Sequence, residues 1–185
     1  MKRIAAAGLA LLMLLVARPA DAWDLSGTKT LVAALRDGSE VRLGTVTFTP
    51  DGDRTGFRVV IDPSGMKEYF LSMRGFKCLE ASDEVTCFVP YPYANPGWVT
   101  KTDFRWLEHA LLFMFKKPTE FGANLHNGLY YHLTLTEQGL VGEPNAVDLN
   151  EISFPPADPA KPPYDEAAQS PLPAGSRWVT GLRIR

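Results

Sequence analysis

The sequence predicts a mainly β protein: an antiparallel barrel or strongly curved sheet of about eight strands with one packed α-helix. Three observations support this. Short stretches of alternating apolar and polar residues recur roughly every 10–12 residues. Turn-forming pairs such as Asp37-Gly38 and Asn127-Gly128 separate them. A single segment, 103–117, replaces the period of two with a helical one. The alternative is an α+β open sheet wrapped on that helix. With 185 residues and 45% apolar content, the chain is long enough for one sizeable core.

In chain order, the first feature is an address. Met1-Lys2-Arg3 is basic, Ile4 to Ala17 is an apolar run broken by Gly8, and Ala20-Asp21-Ala22 ends small-x-small. This succession predicts a secretory signal peptide over 1–22. The run falls short of the roughly 20 residues a membrane-spanning helix needs. The remaining 23–185 is expected to be a single exported domain. It is slightly more acidic than the whole, because Lys2, Arg3 and Arg18 leave with only Asp21.

Thr30 to Leu35 and the series Val41, Leu43, Val46, Phe48 flank Asp37-Gly38 as a hairpin. The alternation slips at Gly44-Thr45, which predicts a β-bulge at Gly44. Pro50 to Asp53 turns, Phe57, Val59 and Ile61 alternate, and Asp62 to Gly65 turns again. Tyr69, Leu71 and Met73 are expected to continue the pattern into a hairpin of Phe76–Leu79 with Val85–Val89. That register sets Cys78 opposite Cys87 and predicts a disulfide, favoured by an oxidising compartment. Closing so short a loop stabilises the fold by about 2.5–3 kcal/mol in the chain-entropy treatment.

Three prolines between Pro90 and Trp98 exclude a central strand there. Thr100 and Asp103 then resemble a capping box, with Asp in the place of Glu. Phe104, Leu107, Leu111, Met114 and Phe115 share one helical face, Arg105, Glu108, His109 and Lys116 form a narrow polar stripe, and Pro118 stops the run. The expectation is one helix over 103–117, its wide apolar face against the sheet. Leu129, Tyr131, Leu133 and Leu135 then point one way, and Tyr130, His132, Thr134 and Thr136 the other. A short strand follows Gln138-Gly139. Seven prolines in 155–173 predict an extended surface strap that covers a sheet edge. The last stretch, Arg177 to Arg185, alternates and is expected to dock back on the sheet.

The net charge of −2 excludes the simplest case for nucleic-acid binding, which needs a basic face. No phosphate loop, dinucleotide fingerprint, H-E-x-x-H, G-x-S-x-G or C-x-x-C is present. No cofactor is expected. Asp51, Asp53, Thr55, Gly56 and Asp62 echo a calcium loop, but strands flank them where that motif has helices, so a hairpin turn is the better reading. His109, His126 and His132 show no metal-ligand spacing.

Small exported barrels with a helix at one end resemble the lipocalin and calycin plan. The resemblance is architectural. The Gly-x-Trp signature is missing from the first strand, so no residue role follows from it.

The most suggestive feature is a Pro-stiffened loop carrying Tyr91, Tyr93 and Trp98. Pre-organised aromatics stack on sugars or accept apolar and peptide partners. With Tyr130 and His132 these residues form the expected ligand rim of a non-enzymatic, periplasmic or secreted binding protein. Its ligand would be a small apolar molecule such as a lipid, an envelope glycan or an envelope protein. Two alternatives remain: an envelope accessory protein acting through the strap and last strand, and a hydrolase using His132 or His109.

Overall fold

The computed structural model describes residues 23–185; the signal peptide expected over 1–22 lies outside them. The strands are β1 (Gly27–Leu35), β2 (Glu40–Asp51), β3 (Arg54–Ile61), β4 (Lys77–Glu80), β5 (Val85–Val89), β6 (Trp98–Val99), β7 (Leu112–Lys116), β8 (Gly128–Thr136), β9 (Gly139–Val147), β10 (Ser170–Pro171) and β11 (Val179–Ile184). The one α-helix among the described residues, α1 (Arg105–His109), lies between β6 and β7. The strands make one antiparallel sheet, curled into a half-barrel, in the order β4-β5-β7-β8-β9-β11-β1-β2-β3-β6, with β10 added to β9. The mainly-β curved sheet with one helix is therefore present. It has more strands than expected because β6 and β10 are two-residue pieces and the β7 sequence carries a helical period.

The curl gives the sheet two cores. The inner face gathers Leu31, Leu43, Val46, Phe48, Phe113, Leu129, Tyr131, Leu133, Leu182 and Ile184. Phe104, Leu107 and Leu111, in and beside α1, plug this interior. The opposite face of β4, β5, β7 and β8 carries Cys78, Cys87, Met114 and Tyr130, covered by Phe70, Leu149, Ile152 and Tyr164 from loops and the strap. Residues of β5, β7 and β8 alternate between these cores.

That double burial explains the main correction. The helix expected over 103–117 exists only at Arg105–His109, and Leu112–Lys116 is a strand between β5 and β7's other neighbour, β8. Buried on both faces, a strand reads as a continuous apolar run that periodicity cannot tell from a helix. The polar stripe is also corrected: Glu108, His109 and Lys116 are buried. Around the helix start, Asp103 accepts the backbone amide of Arg105 at 3.1 Å and its guanidinium at 2.9 Å. Tyr69–Met73 is loop rather than strand; Phe70 turns inward and Leu71 is 95% exposed.

Other expectations hold. Asp37-Gly38 turns the first hairpin, with Gly38 at φ 84°. Asp51 pairs with Arg54, so the calcium-like segment is a two-residue hairpin turn. Cys78 faces Cys87 and is bonded to it. This disulfide fits an oxidising environment. No helix among the described residues is long and apolar enough to cross a membrane. The strap adds Ser170–Pro171 to the part of β9 that β11 does not reach, which covers an edge as expected.

The bulge falls at Leu43–Gly44: Leu31 pairs with Gly44 and Val32 with Arg42. Gly44 has φ 154°, and a β-carbon there would stand 2.0 Å from the carbonyl oxygen of Val60. Backbone strain and the clash act together, so Gly44→Ala should lower unfolding free energy by at least about 2 kcal/mol. Urea denaturation of the two proteins checks this.

Candidate functional site

A cleft of about 920 Å³ lies on the outer face of β8. One side is the Lys101–Arg105 segment leading into α1, the other the strap at Tyr164–Gln169. His132 and Thr134 reach it from β8, and Glu108 forms part of its base.

Glu108 is the unexpected residue. Only 1% of its side chain is exposed. Tyr130 donates its hydroxyl to Oε2, and the backbone amide of Leu133 donates to Oε1 at 2.6 Å. His132, 62% exposed, sets Nδ1 3.4 Å from the same Oε1. Burial pushes the Glu108 carboxyl above the usual carboxylate range, against the opposing pull of these donors. Burial likewise holds the Tyr130 hydroxyl protonated, and the adjacent Glu108 adds to the effect. Asp103, by contrast, is held low by its hydrogen bonds to Arg105. The cleft therefore contains carboxyl groups driven in opposite directions.

His109 sits below, enclosed by Tyr91, Trp106, Tyr130 and Tyr164, with the Tyr164 ring stacked on it at 5.4 Å. Nδ1 is 2.7 Å from the Arg105 carbonyl, and Nε2 is 3.0 Å from the Tyr164 amide. A carbonyl only accepts and an amide N–H only donates, so Nδ1 carries the proton and Nε2 accepts. The ring is neutral and fixed in one tautomer. It pins the strap to α1, and Tyr164 adds a bond from its hydroxyl to the Asp148 carbonyl at 3.0 Å.

The expected rim does not assemble in one place. His132 lines the cleft, while Tyr130 lies wholly beneath it as the partner of Glu108. Tyr91 and Tyr93 pack edge to face, 5.8 Å between centroids. Tyr91 lines a separate groove of about 440 Å³ with Phe57, Val59, Ile61 and Phe88; its hydroxyl is buried without a partner. Trp98 pairs with β3 and lies under the guanidinium of Arg54, 4.4 Å from the ring centroid. His126 contacts Asp148 at 3.0 Å on the surface, apart from both recesses. Among the described residues, no group of three His, Cys, Asp or Glu is placed to hold a metal ion. Sequence reasoning missed Glu108 and His109 as buried groups. Their partners, Leu133 and Tyr164, stand 25 and 55 residues away, and no local pattern signals that.

Compared with known proteins, the chain matches no family model, no curated protein and no solved structure.

Two outcomes follow from these contacts. His109 has its pKa lowered by burial from 6.5 to about 4. The unfolded chain takes up this proton first, so the stability contribution is full above about pH 6.5 and is lost as pH falls toward 4. The loss amounts to about 3 kcal/mol. His109→Gln keeps a donor and an acceptor without the titration, and should flatten this part of the stability–pH curve measured by chemical denaturation. Glu108→Ala orphans the Tyr130 hydroxyl and the Leu133 amide, and should destabilise by about 2–4 kcal/mol. His132→Ala, at the exposed mouth, should stay within about 0.5 kcal/mol. Thermal melts of both variants test the contrast.

Proposed function

We propose that this chain is a non-enzymatic binding protein of the periplasm or cell exterior, and that its cleft holds a hydroxyl-rich envelope glycan. The observation that carries the reading is the cleft lining. Lys101, Arg105, His132 and Gln169 offer donors, and Asp165, Glu166 and Thr134 offer acceptors, beside exposed apolar surface from Leu135 and Ala167. Donors and acceptors of both signs set beside apolar surface suit a neutral molecule with many hydroxyls better than an acyl chain, which wants an apolar tunnel. Glu108 and Tyr130, locked to each other, hold His132 and Leu133 in place under the ligand. The disulfide and the signal-like pattern of 1–22 support export.

The test is calorimetric titration of the oxidised 23–185 chain with soluble fragments of envelope polysaccharide. His132→Ala should weaken binding at least tenfold, about 1.4 kcal/mol, with the melting temperature unchanged. Trp98→Ala, away from the cleft, should bind as the parent does. Unaltered affinity in His132→Ala, or no fragment binding at all, would end this reading.

One observation favours a second reading. A buried carboxyl with a raised pKa, 3.4 Å from a histidine at a cleft base, is an acid–base arrangement. A hydrolase would generate new reducing ends from the same fragments over time, and His132→Ala would stop it. Fragments recovered intact after prolonged incubation leave the binding reading alone.

A further inference from the structure

The curled sheet does not close. Its open margins are β3–β6 on one side and β4 on the other. The bare stretch of β3 on the first margin is bounded at both ends. At one end, β6 pairs with Thr55 and Gly56, and the Phe57 amide donates to the Gly97 carbonyl at 2.8 Å. At the other, the chain leaves Ile61, turns through Pro63–Gly65 and bridges Lys67 to Cys78 of β4. Between these closures is a window beside residues 58–61, opening onto the 440 Å³ groove.

The hydrogen-bonding direction of β3 alternates, and its phase is known. The Asp62 amide points to β2, where it bonds the Leu43 carbonyl at 2.8 Å. The Phe57 amide points the other way, to Gly97. Val59 and Ile61 therefore present their amides and carbonyls to the window. Among the described residues, neither has a backbone partner there. The side chains of Phe57, Val59 and Ile61 are half-buried and, with Phe88 and Ala110, make the groove apolar.

We propose that this window is a strand-capture site, which takes a short extended peptide segment of another protein as a guest strand on β3. Two outward amide–carbonyl pairs, spaced two residues apart over an apolar groove, match an extended chain with apolar side chains at alternate positions. A lipid or a sugar offers no such repeat. The guest continues the line that β6 begins on the same edge of β3, so the pairing extends an arrangement the fold already uses. The window admits about four residues, some 13 Å of strand. The site is separate from the cleft and does not depend on the glycan reading.

The probe is a library of capped hexapeptides with Val, Ile, Leu or Phe at alternate positions and Thr or Ser between. It is added to the oxidised 23–185 chain, and amide exchange is followed by NMR. The expected result is at least tenfold slower exchange at Val59 and Ile61 on addition of the selected peptide. N-methylation of the peptide amides that face β3 should abolish the effect, and N-methylation of the others should spare it. Val59→Pro removes an outward N–H that the β2 ladder does not use, and Ala110→Phe fills the groove; each should cut affinity at least tenfold. Should Val59→Pro fail to fold, Ala110→Phe and the N-methyl pair decide the matter. No protection at either amide, or equal loss with both N-methyl patterns, would overturn the proposal. Protection that rises with protein concentration without peptide would assign the edge to a second copy of this chain and overturn it equally.

Discussion

Strand β11 is what makes one sheet out of two. It lies between β1 and β9, with Leu182 opposite both Ala33 and Gly142. Without it, β1-β2-β3-β6 and β4-β5-β7-β8-β9 share no ladder. Its buried side chains, Val179, Leu182 and Ile184, complete the inner core from the centre of the sheet. Polar contacts at one rim tie the disulfide hairpin to β7, to the segment before this strand and to the first hairpin. Arg177 lies 3.3 Å from Glu84 in the turn of the disulfide hairpin and stacks over Phe115, while Arg36 from the first hairpin meets Asp83. Curl, cleft and window all follow from how this last strand draws the halves together.

Within that frame, α1 and the strap together build the cleft. The helix has five residues, too few to persist by its own hydrogen bonds. Leu107 seats it in the inner core, and Glu108 ties it to β8 through Tyr130 and Leu133. His109 then holds the strap against its outer side. The two consecutive polar residues thus face different neighbours, one the sheet and one the strap, and the cleft is the space left between those neighbours.

Much of the fold is legible in the sequence because hairpins are local. Asp37-Gly38, the slip at Gly44 and the facing cysteines each act over a few residues. The Leu129–Thr136 alternation also holds, since β8 buries Leu129, Tyr131 and Leu133 on one face and leaves His132 and Thr134 outside. Two segments mislead for physical reasons. Leu112–Lys116 meets a core on each face, so its side chains alternate in direction but not in polarity. Tyr69–Met73 alternates without being a strand, and buries the out-of-phase Phe70 instead. The candidate site was half legible. His132 is exposed at the cleft, but Glu108 reads as a surface charge until β8 and the strap cover it. Of the aromatic loop, Tyr91 lines the second groove, while Trp98 is committed to β3 and Arg54.

The shape of the open margin also bears on aggregation. Long bare edges let sheets grow strand upon strand into fibres. Here the bare stretch of β3 is closed above by Gly97 and below by the turn at Pro63. Arg58 and Val60 point outward beside it, and the facing margin, β4, already carries Lys67 across from Cys78. A stretch this short, closed at both ends, offers no continuous track for stacking. An unclosed barrel can therefore remain a single molecule in a crowded compartment.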